Sequence, residues 1–142
     1  MKKVVWTNGC FDLLGSHHCV FLEECRKLGD ILVVGLNTDE SVKSLKGPSR
    51  PIVPYAERKA CLEALRCVDL VVPLSDREPS NLIRMLQPSL VAKGFPADKP
   101  HTWSNDNMPE HVICEELGIP IHQIRGPNSS TTSLIERIRQ WN

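Results

Sequence analysis

Residues 4–18 have the sequence VVWTNGCFDLLGSHH, in which an apolar run passes into a polar turn and then into the start of an amphipathic segment. Residues 4–7 are rich in β-branched and aromatic side chains, which favours a buried strand. Residues 16–28 carry apolar side chains near a 3.6-residue period and precede Gly29, which predicts a helix with Ser16 as its N-cap. The stretch therefore predicts the first β–α unit of a parallel sheet.

The same alternation of short apolar runs and amphipathic segments continues along the chain. It predicts strands at residues 4–7, 31–35, 70–73, 90–92 and 120–124. It predicts helices at residues 16–28, 55–65, 79–86, 109–117 and 131–141, and a surface loop at 95–107. Because most strands are apolar without strict alternation, both faces of the sheet should be covered. The pattern predicts one three-layer α/β domain over residues 1–142.

Composition excludes several classes of protein. The 142 residues carry 17 Lys or Arg and 17 Asp or Glu, so the net charge is zero and no nucleic-acid partner is expected. No apolar run approaches the ~20 residues of a membrane helix, and no secretory signal is evident, which predicts a cytoplasmic protein without a membrane partner. The six cysteines contain no Cys-x-x-Cys pair, so no metal site is predicted.

Polar residues follow the predicted strands at the edge where parallel sheets bind ligands, outside their carboxyl ends. These segments are 8–18, 37–39, 93–94 and 125–131. Two of them run into helix N-termini, whose free N–H groups and positive dipole favour phosphate. The first adds the donors His17 and His18, and the last adds Ser129, Ser130 and Thr131. Phosphate is the ligand that this arrangement fits best.

Familiar phosphate motifs are absent. There is no G-x-x-x-x-G-K-[ST], which argues against a P-loop enzyme, and no G-x-G-x-x-G after the first strand, which argues against a dinucleotide or flavin binder. A cationic stretch with Lys43, Lys46, Arg50 and Arg58 instead lies between the second strand and the next predicted helix. We expect it to form a mobile loop that brings positive charge over a triphosphate.

Several motifs together resemble those of the cytidylyltransferase-like nucleotidyltransferases. They are TNGCFDLL at 7–14, LNTDESV at 36–42, LKGPSRPI at 45–52, ER at 57–58, VDLVVP at 68–73, KG at 93–94 and SSTT at 129–132. The chain looks most similar to heptose 1-phosphate adenylyltransferase domains and glycerol-3-phosphate cytidylyltransferases. The resemblance implies a Rossmann-like, doubly wound, five-stranded parallel sheet.

It also implies a reaction. CMP or AMP would pass from CTP or ATP to a phosphorylated sugar or polyol with release of pyrophosphate, Mg²⁺ would accompany the triphosphate, and the enzyme would be a homodimer. The catalytic residues predicted on this basis are His18, His17 and Lys46. The predicted nucleotide-binding residues are Asn8, Gly9, Cys10, Phe11, Lys93, Gly94, Arg125, Ser129, Ser130 and Thr131. The predicted substrate-binding residues are Asp12, Asp39 and Arg58, although Asp12 is equally suited to bracing the first turn.

One motif departs from the family pattern. The family's first helix begins His-x-Gly-His, whereas residues 15–18 are GSHH, so only His18 keeps its place. Adjacent helical residues point ~100° apart, so we expect His17 to be an imperfect substitute for the first histidine. Loss of one donor to the developing charge typically costs ~100- to 1000-fold in rate. The alternative prediction is therefore a catalytically impaired nucleotide-binding or scaffold homologue.

Overall fold

The computed structural model describes residues 1–76, 79–96, 108–126 and 130–141, in which strands and helices alternate except for two consecutive helices after the second strand. The strands are β1 (Val4–Gly9), β2 (Ile31–Asn37), β3 (Leu70–Leu74), β4 (Leu90–Pro96) and β5 (Ile121–Gly126). The helices are α1 (Ser16–Arg26), α2 (Asp39–Lys46), α3 (Tyr55–Glu63), α4 (Ser80–Leu86), α5 (His111–Leu117) and α6 (Thr131–Arg139).

The five described strands form one parallel sheet in the order β3-β2-β1-β4-β5. The chain adds β2 and β3 on one side of β1, then crosses back and adds β4 and β5 on the other side. Strand order therefore reverses between β1 and β4. The arrangement confirms the predicted Rossmann-like, doubly wound α/β fold.

Apolar side chains cover both faces of this sheet. On β1, Val5 packs in one buried cluster with Leu22 and Leu62, whereas its neighbour Trp6 packs in a second cluster with Ile83. Successive strand residues point to opposite faces, so the two clusters are the two interfaces of a three-layer structure. None of the helices formed by the described residues is long and apolar enough to cross a membrane.

Helix α2 is a correction to the prediction of a mobile cationic loop. The Thr38 hydroxyl caps it by accepting a hydrogen bond from the Ser41 N–H at 3.3 Å, and Gly47 ends it. Acidic residues lie in its first turn and Lys43 and Lys46 in its last, as the helix dipole favours. The threonine cap and this charge order were the overlooked sequence signal. Only the segment from residue 47 to 54 is a loop.

Other differences concern element ends. Gly15, and not Ser16, occupies the N-cap position of α1. Helices α1, α3 and α6 end two residues before their predicted last residues, and β1 and β4 run further, to Gly9 and Pro96. The loop predicted from residue 95 thus begins inside β4, and its remainder at 97–107 lies outside the described residues.

Candidate active site

A crevice opens where β1 and β4 separate. β1 pairs with β2 along its whole length, but with β4 it shares only the pairs Val5↔Leu90 and Trp6↔Val91. The hydroxyl of Thr7 donates to the carbonyl oxygen of Ala92 at 2.9 Å just beyond the last of these pairs. Beyond this contact lies a pocket of about 260 Å³, at the carboxyl ends of the two strands. It occupies the point of strand-order reversal at which such folds bind ligands.

The pocket brings together most of the residues predicted from the sequence. Its described lining consists of Thr7, Asn8, Gly9, Cys10, Phe11, Asp12, His18, Phe21, Lys46, Arg50, Lys93, Gly94 and Thr131. The predicted residues outside this lining are His17, Asp39, Arg58, Arg125 and Ser130, and Ser129 lies outside the described residues.

Two lining residues were not predicted from the sequence, Thr7 and Phe21, and Arg50 was predicted only as a member of the cationic stretch. Phe21 follows His18 by three residues, and helical spacing therefore places both on one face of α1. A Cβ atom on Gly94 would lie 3.0 Å from the Phe21 ring, so the glycine permits close contact between β4 and α1. Spacing could have revealed Phe21, whereas the buried position of Arg50 depends on a contact distant in sequence.

His18 is fixed as a hydrogen-bond donor toward the pocket. Its Nδ1 accepts from the backbone N–H of Gly15 at 3.0 Å. In the neutral ring the proton therefore resides on Nε2. Burial, followed by the proximity of His17 and Lys46, lowers the pKa of His18 to about 4. At neutral pH this residue presents an uncharged imidazole with one N–H group to offer a phosphate oxygen.

His17 lies against His18, contrary to the predicted divergence of the two side chains. The ring centroids are 3.9 Å apart with an interplanar angle of 39°. A Cβ atom on Gly15 would lie 3.2 Å from both Nδ1 and Cε1 of His17. The missing side chain at position 15 thus leaves room for the imidazole at position 17. The Nε2 of His17 is buried without a partner among the described residues, and burial lowers the pKa of this histidine.

Asp12 braces the turn that follows β1. Its carboxylate accepts hydrogen bonds from Arg50 Nε at 3.0 Å and from the backbone N–H groups of Ile52 and Val53 at 2.8 and 2.9 Å. Burial alone would raise the pKa of this carboxyl, but its two backbone donors and its ion pair lower it. The structure thus gives the side chain the bracing position. Direct substrate contact by Asp12 stays a prediction.

The same turn contains two residues in left-handed backbone conformations, Phe11 with φ 46° and Leu13 with φ 50°. Such conformations are uncommon for residues with bulky side chains and cost of order 1–3 kcal/mol each. Asp12, which lies between these two residues, helps to stabilise their conformations. Its carboxylate accepts the three hydrogen bonds described above, and its carbonyl oxygen accepts from the Thr131 hydroxyl at 2.8 Å. The turn is consequently tied both to the loop before α3 and to the start of α6.

Arg58 lies beneath the pocket and has no exposed side-chain surface. It donates to the carbonyl oxygens of Val53, Cys10 and Asn37, each at 2.8 Å. Its Nη2 pairs with the Asp39 carboxylate at 2.7 Å. These contacts join the turn after β1, the junction of β2 with α2, and the loop before α3. They explain why Arg58 and Asp39 lie outside the lining. Substrate binding by Arg58 and Asp39 stays a prediction.

Two lysines in the lining differ in electrostatic environment. Lys93 lies 2.7 Å from the buried carboxylate of Glu110, which offsets its charge. Lys46 is exposed at the end of α2, and no ion pair involves it within the described parts of the chain. The pocket therefore receives uncompensated positive charge chiefly from the α2 side.

Three further predicted residues, Ser130, Arg125 and Cys10, have neighbours that define their environments. Ser130 caps α6 by accepting from the Ser133 N–H at 3.1 Å. Arg125 lies over the Phe95 ring, 5.0 Å from its centroid. Burial raises the pKa of the Cys10 thiol, although nearby cations oppose this shift. Within the described residues no group of three His, Cys, Asp or Glu side chains could hold a metal ion.

A parallel sheet in this order, with a cation- and imidazole-lined crevice at its reversal point, defines an α/β domain suited to nucleotides and other phosphorylated ligands. Comparison with known proteins makes the assignment specific. The family model described as cytidylyltransferase-like matches residues 6–137. The chain belongs to this family.

Individual relatives agree with this assignment. The bifunctional protein HldE of Syntrophotalea carbinolica is 43% identical over 142 residues, which cover 96% of this chain and 27% of that protein. HldE of Helicobacter pylori strain HPAG1 is 41% identical over 140 residues, covering 98% of this chain and 28% of that protein. The chain thus spans little more than a quarter of the length of these curated relatives.

Solved structures support the fold. A lipopolysaccharide core biosynthesis protein from Thermoplasma volcanium superposes with a TM-score of 0.70 at 25% identity, covering 92% of this chain and 100% of that one. Pantothenate synthetase from Thermus thermophilus superposes with a TM-score of 0.54 at 15% identity, covering 88% of this chain and 55% of that chain. The second likeness concerns the fold alone.

Proposed function

We propose that this domain is a nucleotidyltransferase that transfers AMP or CMP from ATP or CTP to a phosphorylated sugar or polyol. The observation that carries the proposal is the placement of His18 and Lys46 in one pocket at the β1–β4 crevice. Membership in the cytidylyltransferase-like family supports it. A homodimer is proposed on resemblance alone, and a cytoplasmic location is proposed on composition.

The reaction is an in-line displacement at the α-phosphorus. An oxygen of the acceptor phosphate attacks, a new P–O bond forms, and the bond between the α-phosphorus and the bridging oxygen breaks. The electron pair of that bond leaves with pyrophosphate. Phosphate monoesters have a second pKa of about 6, so the acceptor is already a dianion at neutral pH. The protein therefore needs to position two anions and offset their charge, without supplying a base.

The residues of the pocket suit this task. The Nε2–H of His18 would donate to an oxygen on the α-phosphate as negative charge develops there, with Nδ1 held by Gly15. Lys46, exposed and without an ion pair in the described structure, would neutralise phosphate charge from the α2 side. Its ammonium would contribute most where water is excluded by the bound substrates.

Mg²⁺ would enter this site with the substrate, because the two buried carboxylates nearby already have partners. The Asp12 carboxylate is occupied by three donors and that of Glu110 lies against Lys93. Mg²⁺ usually keeps several waters and is bound by substrate phosphates with only one or two carboxylates, and not by an all-protein cage. We propose that it arrives with the triphosphate, where it supplies charge neutralisation.

Pyrophosphate release tests the proposal. The assay pairs MgATP or MgCTP with heptose 1-phosphate or glycerol 3-phosphate, and it compares the wild type with the His18→Asn variant. The expected result is release with one nucleotide and one acceptor, reduced ~100- to 1000-fold in the variant. Nucleotide binding without release under every pairing would contradict the proposal and favour the impaired homologue.

A further inference from the structure

Arg50 holds a buried donor that the proposed reaction has not used. Its side chain is 10% exposed, and its Nε pairs with Asp12 at 3.0 Å. Its Nη2 is buried without a hydrogen-bond partner among the described residues. Buried polar groups are normally satisfied, and a guanidinium presents a planar fork of donors suited to phosphate. A buried, anchored arginine with a spare donor points to an oxyanion partner that completes its bonding.

The position of Arg50 links the active-site pocket to a second cavity. Arg50 and Lys46 line both, so their cationic groups stand at the junction. The second cavity, here called the α6 groove, has a volume of about 400 Å³ and lies between the loop after α2 and one face of α6. Its other lining residues are Ser49, Ile52, Thr132, Ile135, Glu136 and Arg139.

The chemistry of the α6 groove changes along its length. At the junction two cations are present, one of them already fixed by Asp12. Further along α6, the carboxylate of Glu136 and the guanidinium of Arg139 offset each other in charge. Ser49 and Thr132, which carry hydroxyl groups, also line the groove. A ligand that matches this order has an anionic group at one end and a neutral, hydroxyl-rich body.

The charge distribution along the α6 groove favours the phosphorylated acceptor over the nucleoside triphosphate as its ligand. A triphosphate chain that continued into the α6 groove would bring further negative charge toward Glu136, which is unfavourable. The hydroxyl groups of a sugar or polyol can donate to that carboxylate and accept from Arg139. The apolar edges of Ile52 and Ile135 offer contact for carbon-bound hydrogens of such a body.

On this basis, and resting on the proposed function, we propose that the α6 groove is the acceptor site. Arg50 Nη2 and Lys46 bind the acceptor phosphate at the junction, and Ser49, Thr132 and Glu136 receive the hydroxyl groups of its body. The acceptor phosphate then faces the active-site pocket, from which its oxygen attacks. Arg50 is accordingly a specificity-determining residue for a phosphorylated polyol or sugar.

Equilibrium binding tests the assignment independently of turnover. Isothermal titration of the intact chain is performed with heptose 1-phosphate, glycerol 3-phosphate, free glycerol and α,β-methylene ATP. The variants are Arg50→Lys, which retains a cation for Asp12 but lacks the second donor, and Glu136→Ala on the exposed face of α6. Arg137→Ala is the matched control, because this arginine lies on α6 outside the groove. Thermal unfolding verifies that each variant is folded.

The expected result is binding of at least one phosphorylated probe and not of free glycerol. Arg50→Lys should weaken that binding at least tenfold and Glu136→Ala several-fold, with nucleotide affinity within about twofold of wild type. Unchanged probe affinity in both variants, no binding of either phosphorylated probe by the wild type, or a larger loss for the nucleotide in Arg50→Lys would overturn the assignment. Probe binding without pyrophosphate release would retain the site and reject the proposed reaction.

Discussion

The imidazole rings of His17 and His18 lie 3.9 Å apart between centroids, although adjacent residues in a helix normally point in different directions. Gly15 leaves room for this contact, since a Cβ atom there would lie 3.2 Å from the His17 ring, closer than ordinary van der Waals contact. Two features of the sequence that separately depart from the family pattern are therefore spatially coupled. The ring of His17 lies next to the space that a side chain at position 15 would occupy.

This coupling predicts non-additive effects of substitution. His17→Gly removes the ring that packs on His18 and should lower kcat for pyrophosphate release at least tenfold. Gly15→His alone should also lower it, because the new side chain displaces the ring of His17. The double variant Gly15→His/His17→Gly should recover most of the activity, since one imidazole again occupies the space. A double variant slower than both single variants would contradict the coupling.

The buried neutral state of His18 predicts a loss of stability in acid. Its folded-state pKa is about 4, below the ordinary value of 6.5, so the unfolded chain takes up more protons between these pH values. The stability contribution is complete above about pH 6.5 and falls as the pH decreases toward 4. Its slope cannot exceed about 1.4 kcal/mol per pH unit. Urea unfolding measures the free energy at each pH.

The matched variant for this experiment is His18→Asn, whose side-chain oxygen can replace Nδ1 as acceptor for Gly15. It should show a shallower decrease in unfolding free energy between pH 6.5 and 4 than the wild type. Equal slopes would mean that His18 does not retain an unprotonated ring in the folded state.

Replacement of Arg58 should chiefly affect stability. Arg58→Lys cannot donate to three separate carbonyl groups and also pair with Asp39, so buried acceptors lose their partners. The expected loss is about 3–5 kcal/mol in the free energy of unfolding, measured by urea denaturation. The exposed Arg66 provides the control, and Arg66→Lys should change stability by less than about 0.5 kcal/mol. A stable Arg58→Lys variant with impaired substrate binding would instead support direct contact.

Lys46 should affect catalysis without affecting folding. It is exposed and lines the pocket, whereas Lys43 lies one turn earlier on α2 and does not. Lys46→Met should reduce kcat/KM for the phosphorylated acceptor at least tenfold, while the unfolding free energy stays within about 0.5 kcal/mol of wild type. Lys43→Met should leave both quantities near wild type. Equal effects of the two substitutions on kcat/KM would indicate that the positive charge of α2 acts at a distance and that Lys46 does not contact the substrate.

The strands and their order along the chain could be predicted because each depends on a local apolar run bounded by turn residues. The pocket position followed from the general rule for parallel sheets. Helix α2 was missed because its cationic last turn and the following glycine suggested a loop, while the Thr38 cap was overlooked. The local sequence was sufficient to predict helix α2 from its threonine cap and its charge order. The prediction was wrong because the cationic residues were interpreted as part of a loop.

The environments of Arg58 and Arg50 could not be predicted in the same way. The partners of Arg58 come from three segments that meet only after the sheet has formed. Arg50 is 38 residues from Asp12 in sequence, and its burial follows from that one pairing. Both are arginines in a polar stretch, so residue type alone does not distinguish an arginine with a structural role from one that binds ligand.

The short pairing between β1 and β4 has a mechanical consequence. Two register pairs join them, whereas six join β1 to β2 and six join β4 to β5. The sheet thus has two halves, β3-β2-β1 and β4-β5, that few backbone pairs join. The crevice lies where the pairing between them ends. A ligand that contacts both β1 and β4 in the crevice links the two halves of the sheet where no backbone pairs join them. Ligand binding in the crevice should therefore also restrain the two halves of the sheet relative to each other.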